Sequence, residues 1–178
     1  MSDNTPQHAE PKRKWKNPKW WLREFATLVV LFSVMAFAMD WWRTQDMPKG
    51  AVPAMPMTTI SGDAIDLVAL SHEEPVVLYF WATWCPACKF VTPTVDWFSD
   101  SYPVISVAMT SGNNRRVQAY LESHDLHFDT INDEKGIIGQ TWGIQATPTI
   151  VIIKNGKVES ITTGITTPPG LLARLWFS

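Results

Sequence analysis

The chain has 178 residues and a formal net charge of -2, which leaves room for one globular domain of ordinary size and a short extension. Residues 1–24 carry six Lys or Arg against three Asp or Glu, and the remainder carries nine against fourteen, so the two ends face different surroundings. The composition excludes a nucleic-acid-binding protein, because the acidic part has no basic block to neutralise phosphates, and two cysteines are too few for a multi-disulfide scaffold.

A basic tail and an apolar segment open the chain. We interpret residues 1–19 as a cytoplasmic tail and residues 20–43 as one transmembrane helix. Phe25–Met39 holds fifteen residues without a charge, tryptophan pairs flank it, and a span needs roughly 20 apolar residues. Because the Lys and Arg cluster precedes the segment, the positive-inside rule predicts a single-pass protein of a bacterial inner membrane with its domain in the periplasm. Two alternatives stay open: a cleaved signal peptide, since residues 36–38 have the small-x-small form of a processing site, and a buried helix of a soluble protein.

Residues 44–56 are interpreted as a linker. Several prolines and the absence of apolar periodicity predict an extended spacer that holds the following domain away from the bilayer. Met47, Met55 and Met57 lie in this spacer or beside it. Thioether sulfur is a soft ligand suited to Cu(I), so the spacer adds a possible copper-binding element.

The domain itself is expected to cover residues 57–178 and to begin with a βαβ unit. Pro75–Trp81 is a continuous apolar, β-branched and aromatic run, typical of a strand buried on both faces at the centre of a sheet. Pro86–Ser99 is predicted to be a helix and Val104–Met109 a strand. A strand, a helix and a strand in this order favour a crossover that makes the two strands parallel.

The rest of the domain is predicted to contain two helices, a β-hairpin and a closing helix. In chain order these are Asn114–Ser123, Glu134–Trp142, Thr149–Ile153, Lys157–Thr163 and Leu171–Phe177. Asn155-Gly156 supports the hairpin, because both turn positions require positive φ, and Gly143 is a plausible helix C-cap. The predicted fold class is therefore α/β, a mixed central sheet flanked by helices.

The two cysteines form a Cys-x-x-Cys motif, Cys85 to Cys88, where the central strand meets the helix. Unsatisfied N–H groups at a helix N-terminus favour an anion, so we expect a lowered pKa and a nucleophilic thiolate at Cys85. Cys88, farther along the helix, would then resolve a mixed disulfide, and Pro86 and Ala87 between them help to set how oxidising the pair is.

Other interpretations of the motif are weaker. A structural zinc site needs four protein ligands, no second cysteine pair exists, and the spacing of His72, His124 and His127 matches no common pattern, so no metal site is predicted. A purely structural disulfide would close a loop too small to constrain the unfolded chain much. A copper-handling module, with the cysteine pair as Cu(I) ligands aided by the methionines, and a chaperone-like peptide-binding domain remain as alternatives.

The motif and its surroundings resemble the thioredoxin superfamily over most of residues 57–177. The stretch from residue 80 to residue 89, Phe-Trp-Ala-Thr-Trp-Cys-Pro-Ala-Cys-Lys, is similar to the family's active-site segment, and Pro93 lies where the family's helix has its kinking proline. Ala146-Thr-Pro-Thr149 resembles the loop whose proline is cis and lies against the cysteines. The resemblance implies a thioredoxin-like fold in which the contact surface for substrate, next to the two cysteines, is formed by Trp84, Pro86, Ala87, Thr147 and Pro148.

One position departs from that pattern. Many thioredoxins carry a buried Asp six residues before the first cysteine, where this chain has Tyr79, a poor substitute for a carboxylate that relays a proton. With its predicted anchor, the chain more closely resembles the tethered proteins related to cytochrome-maturation reductases, including the D proteins of suppressor-of-copper-sensitivity systems. That resemblance implies reduction of periplasmic thiol or disulfide proteins, recharging by a transmembrane electron donor, and no cofactor beyond the redox-active disulfide.

Overall fold

The computed structural model describes residues 18–43, 48 and 50–177 of the chain, which divides after Ala38 into two compact units. The first helix, α1 (Pro18–Arg43), contributes mainly exposed side chains, among them Leu22, Phe25 and Leu31. Over the described residues, no helix combines the length and the apolar character that crossing a membrane requires. Residues 1–17 of the predicted tail, Met47, and the side chains of Trp20, Trp41 and Trp42 lie outside the described residues.

The second unit contains a small hairpin, β1 (Met57–Thr58) with β2 (Ala64–Ile65), and a main sheet of five strands. The main-sheet strands are β3 (Val76–Trp81), β4 (Val104–Met109), β5 (Asp129–Asp133), β6 (Thr149–Lys154) and β7 (Lys157–Thr163). The helices of this unit are α2 (Leu67–Glu73), α3 (Cys88–Ser99), α4 (Asn114–Ser123), α5 (Ile137–Thr141) and α6 (Pro168–Phe177). The sheet order is β5-β4-β3-β6-β7, with β3 parallel to β4 and antiparallel to β6, which confirms the mixed sheet flanked by helices.

Strand β3 forms the centre of this sheet, as its composition predicts. All six of its side chains are buried, because the sheet is covered on both faces. The parallel partner β4 and helix α4 have the predicted bounds, and the hairpin turn has positive φ at Asn155 (52°) and Gly156 (71°). Each of these elements has a local sequence signal strong enough to specify it.

Several elements differ from the sequence prediction. The strand β5 was missed, because its residues Asp-Thr-Ile-Asn-Asp show no apolar run; it exists through parallel pairing with β4. Helix α5 begins at Ile137 rather than Glu134, because Gly136 adopts φ 73° and closes a turn through its N–H to the Asp133 carbonyl. The prediction also omitted α2 and the β1–β2 hairpin, and it started α6 at Leu171, whereas the helix begins at Pro168.

Alternating residues of the strands face opposite sides of the sheet and form two separate cores. The side that contains both cysteines, called the site face below, includes Val77, Tyr79, Trp81, Cys85, Cys88, Val91, Ile150 and Ile152. The opposite side, called the far face, includes Met57, Val76, Leu78, Phe80, Trp142, Val151 and Ile153. The helices α3, α4 and α6 cover the site face, and α2 and α5 border the far face.

The second half of the predicted linker lies on the domain. Val52 donates its N–H to the Gly156 carbonyl at 3.1 Å, and the Gly50 carbonyl accepts the Val158 N–H at 2.7 Å. Ala51 bridges Lys157, so this segment extends the outer edge of β7 by a short strand. Pairing of this kind protects an otherwise open sheet edge, and it anchors the segment that precedes β1.

Candidate active site

The segment between β3 and α3 contains the two cysteines. The Cys85 N–H donates to the Ala82 carbonyl at 3.1 Å, and Cys85 and Cys88 are joined by a disulfide with their Cα atoms 5.3 Å apart. The helix begins at Cys88, so Pro86 and Ala87 form a turn instead of the predicted first helical residues. Cys85 therefore lies just before the helix, and Cys88 is its first residue.

The start of α3 places a hydrogen-bond donor on the Cys85 sulfur. The Cys88 N–H, one of the N–H groups that has no partner inside the helix, lies 3.1 Å from Cys85 Sγ. This group and the positive end of the helix dipole both favour negative charge on that sulfur once the disulfide is opened. Cys85 therefore lies at a helix N-terminus as the sequence predicts, although the helix starts two residues later, and its lowered pKa stays a prediction.

The loop before β6 lies against the cysteines. The Thr147–Pro148 peptide bond is cis, as the resemblance implied, and the Thr147 carbonyl oxygen is 3.5 Å from Cys85 Sγ. In the disulfide state this is a contact rather than a hydrogen bond, because the sulfur has no proton. The Pro148 carbonyl accepts the Gly164 N–H at 2.8 Å, which ties the loop to the end of β7.

The exposed surface around the disulfide is formed by residues that the sequence singled out. Trp84 is 61% exposed and Pro86 is exposed, whereas Cys85 and Cys88 are buried. Ala87 is half-buried. The indole N–H of Trp84 donates to the Thr110 carbonyl at 3.2 Å, so the ring has a defined partner although it is exposed. The structure thus brings all seven predicted site residues together around one disulfide.

Tyr79, which occupies the position of the usual acid, lies in the core beneath α3. It is fully buried, and its hydroxyl lies 2.8 Å from the Thr92 hydroxyl, next to Pro93 in the helix. Burial raises the pKa of Tyr79 well above its ordinary value, and the Thr92 hydrogen bond offsets this only in part. The phenol stays neutral at any physiological pH, so it connects the helix to the central strand and does not relay protons.

Sequence reasoning missed a second loop at this site. The Ser111 hydroxyl, buried after β4, accepts the Thr83 N–H at 3.0 Å and donates to the Met109 carbonyl at 3.0 Å. The only available signal is indirect: the carboxyl ends of parallel strands share one edge of a sheet. That rule places the residues after β4 near Cys85 but cannot identify which of them contact it.

Two of the three methionines in or beside the predicted spacer lie on the opposite side of the sheet from the cysteine pair. Met57 is buried in the far face and Met55 packs against that same core, whereas both cysteines belong to the site face. His127 lies between two carboxylates, with Asp96 and Asp125 oxygens each 3.5 Å from a ring nitrogen. Among the described residues, no cluster of three or more His, Cys, Asp or Glu side chains has the geometry to hold a metal ion.

A thioredoxin-like α/β domain with a Cys-x-x-Cys disulfide at the end of its central strand, facing a cis-proline loop, defines a class of thiol-disulfide exchange proteins. The thioredoxin family model matches residues 56–175, and the chain belongs to this family.

Comparison with known proteins agrees with that assignment. A thioredoxin-like protein of Haemophilus influenzae is 36% identical over 158 residues, covering 88% of this chain and 94% of the relative. Thiol-disulfide oxidoreductase ResA of Oceanobacillus iheyensis is 32% identical over 174 residues and 90% of each chain. The crystal structure of StoA from Bacillus subtilis superposes with a TM-score of 0.59 at 27% identity, covering 72% of this chain and 99% of StoA. The chain is a thioredoxin-like protein-disulfide oxidoreductase.

Proposed function

We propose that this oxidoreductase reduces disulfides in periplasmic proteins, with Cys85 as the nucleophile and Cys88 as the resolving thiol. The observation that carries the proposal is the Cys88 N–H on Cys85 Sγ, which favours a thiolate at that one sulfur. The exposed Trp84 ring, the Pro86-Ala87 turn and the Thr147–Pro148 loop border the sulfur and provide the surface on which a substrate segment docks.

The cycle conserves atoms and electrons. The Cys85 thiolate attacks one sulfur of the substrate disulfide, that bond breaks, and the leaving sulfur takes up a proton. Cys88 then loses its proton and attacks Cys85 Sγ in the mixed disulfide. This step forms the Cys85–Cys88 disulfide seen in the structure and releases the second substrate thiol. Two electrons pass from the cysteine pair to the substrate, so a dithiol donor must reduce the pair again before the next turn.

The direction of the reaction is tested by the equilibrium redox potential of the full-length chain. We expect a value near or below roughly -230 mV in dithiothreitol or glutathione buffers with thiol trapping, toward the thioredoxin end of the scale. A value of roughly -120 to -180 mV, where oxidants and isomerases lie, would reverse the direction. Cys88→Ser is the matched variant for the roles, because it leaves Cys85 able to attack a disulfide but unable to release it. It should accumulate a mixed disulfide that Cys85→Ser does not form.

We also propose that α1 attaches the protein to the bacterial inner membrane, with residues 1–19 in the cytoplasm, residues 20–43 as the anchor and the rest in the periplasm. Among the described residues, α1 is not both long and apolar enough to cross a membrane, so the proposal rests on the sequence pattern. Supporting features are the uncharged run Phe25–Met39, the Lys and Arg cluster before it, and the exposed apolar side chains of the helix. A transmembrane dithiol donor would then supply electrons to a tethered enzyme.

Extraction of membranes from cells that produce the full-length chain tests the anchor. We expect the protein to remain in the membrane pellet at alkaline pH and to be degraded by protease added to spheroplasts. A variant with Val30 and Val34 replaced by Asp is the control, since two charges in the apolar run should release the chain. Recovery of the unaltered chain in the soluble fraction, at its full length or shortened near residue 38, would contradict the anchor.

A further inference from the structure

Thr110–Gly112 forms a turn at the carboxyl end of β4, beside the segment that leads into Cys85. Strands β3 and β4 are parallel, and Trp81 pairs in register with Ala108. The two chain segments therefore leave the sheet side by side.

Both ends of this turn are fixed by strand β5. The Thr110 N–H donates to the Asp133 carbonyl at 2.9 Å, and the Asn132 side-chain amide donates to the Gly112 carbonyl at 2.9 Å. Thr110 adopts φ 43°, a left-handed conformation that is unfavourable for a β-branched residue. Such a conformation persists where the surrounding structure over-determines it, and it is enriched at functional sites. The turn is thus held firmly in a strained shape.

Ser111 connects this turn to the active-site segment through one hydroxyl. Its side chain is 2% exposed, and its oxygen both accepts the Thr83 N–H and donates to the Met109 carbonyl, each at 3.0 Å. Because Thr83 is two residues before Cys85, this bond fixes the backbone on which Trp84 is mounted. Thr110 precedes Ser111 in this turn, and its carbonyl oxygen accepts the Trp84 indole N–H at 3.2 Å.

We propose that Ser111 is a positioning residue that, with the Thr110 carbonyl, holds the Trp84 ring as a fixed apolar surface for a protein substrate of Cys85. This inference rests on the proposed function and adds a determinant of substrate docking to it. Ser111 does not take part in the exchange of bonds. Its effect should be confined to substrates large enough to touch the indole ring while one of their sulfurs reacts.

Ser111→Ala in the full-length chain tests the inference with two reagents of different size. With insulin as the disulfide substrate and dithiothreitol as the electron source, we expect kcat/KM to fall about fivefold, mainly through a higher KM, as for loss of one net hydrogen bond. Alkylation of reduced Cys85 by iodoacetamide, which need not touch Trp84, should stay within about twofold of the unaltered rate. Ser111→Thr keeps the hydroxyl and should recover most of the loss.

A second variant changes Trp84, the residue that donates the hydrogen bond to the Thr110 carbonyl. Trp84→Phe keeps an aromatic ring but removes the N–H that reaches Thr110, so it should also raise KM for insulin. In this background Ser111→Ala should add less than it does alone, because both variants release the same ring. The exchange of the Trp84 indole proton with solvent, followed by NMR, should become faster in Ser111→Ala whatever the activity.

The possible results distinguish failure of the positioning role from failure of the proposed function. Equal losses in insulin reduction and alkylation, an unchanged KM, fully additive effects, or an unchanged indole exchange rate would each overturn the positioning role while leaving the enzyme's function intact. Failure of the unaltered chain to reduce insulin would instead overturn the proposed function, and with it this inference.

Discussion

The site face and the far face of the central sheet differ in how their side chains are held. On the site face, the Trp81 indole N–H donates to the Ser106 hydroxyl at 3.1 Å, Ser106 contacts the Thr130 hydroxyl at 2.9 Å, and Tyr79 binds Thr92. The far face has fewer such bonds between side chains: the Asp133 carboxylate and the Ser71 hydroxyl accept backbone N–H groups at its border, its strands pack through apolar side chains, and the buried Trp142 indole N–H has no hydrogen-bond partner among the described residues.

This difference separates orientation from stability. Hydrogen bonds are directional, and in a buried environment each unsatisfied partner is costly, so a bonded network specifies one arrangement of the strand and the active-site helix. Apolar burial is non-directional and stabilises the sheet without fixing individual groups. The reactive disulfide lies on the face whose side chains are oriented, and the opposite face supplies packing.

The largest expected effect is on the site face itself. Cys85→Ser should lower the rate of protein disulfide reduction by about a thousandfold or more, because the nucleophile is lost and the residues around it cannot replace it. Insulin reduction with dithiothreitol, corrected for the uncatalysed rate, measures this. Circular dichroism should show an unchanged fold. Substantial remaining activity would mean that Cys88 or another group is the nucleophile.

Truncation of a far-face side chain should remove stability without altering the site. Ile153→Ala is expected to lower the free energy of unfolding by about 2 to 5 kcal/mol, because it leaves a cavity in a core where the side chain is fully buried. Its matched control is Ile150→Ala on the same strand, which truncates the site face two residues after Pro148.

Urea unfolding and insulin reduction are measured for both isoleucine variants. Both should be destabilised by similar amounts, but activity per folded molecule should fall only for Ile150→Ala. Equal activity losses would show that the two faces are coupled and that the separation between orientation and stability is wrong.

The bond between Tyr79 and Thr92 should contribute less than a core side chain. Tyr79→Phe removes the phenol hydroxyl, so the buried Thr92 hydroxyl loses this hydrogen-bond partner. The free energy of unfolding should fall by about 1 to 3 kcal/mol. Thr92→Val removes the other partner. In the double variant the loss should be smaller than the sum of the two, and strict additivity would contradict the bond.

The smallest effect is a dependence on alkaline pH. Because the folded-state pKa of Tyr79 is raised by burial, folding favours its protonated form, and the stability this gives is fully present below the unfolded pKa near 10. Above about pH 10 the unfolded chain loses the proton first, so stability should fall by up to about 1.4 kcal/mol per pH unit from this group.

Comparison of Tyr79→Phe with the unaltered chain isolates the contribution of Tyr79 to this pH dependence. The pKa of the partly buried Tyr120 is also raised by desolvation, and that group remains in Tyr79→Phe. Urea unfolding at pH 9, 10 and 11 should therefore give a shallower decline for Tyr79→Phe than for the unaltered chain. Parallel declines would show that the Tyr79 hydroxyl is not in the buried state described.

Local sequence signals account for much of the fold and for the central part of the site. The apolar run of β3 and the Asn155-Gly156 turn specify their elements because the information lies within a few neighbouring residues. The Cys-x-x-Cys motif was recognisable for the same reason, whereas Pro148 was identified through the resemblance of residues 146–149 to the cis-proline loop of the thioredoxin family. Helix boundaries were less well predicted, as the late start of α3 at Cys88 shows.

The α/β class, the central strand and the reactive pair thus follow from composition and spacing along the chain, and the residues bordering the pair follow from the resemblance to the thioredoxin family. Only the tertiary structure decided that the polar segment Asp129–Asp133 becomes a strand, that Ser111 binds the backbone before Trp84, and that Tyr79 reaches Thr92. These contacts join residues 13 to 28 positions apart in the chain, and hydrogen bonds between such partners leave no periodic pattern in the sequence.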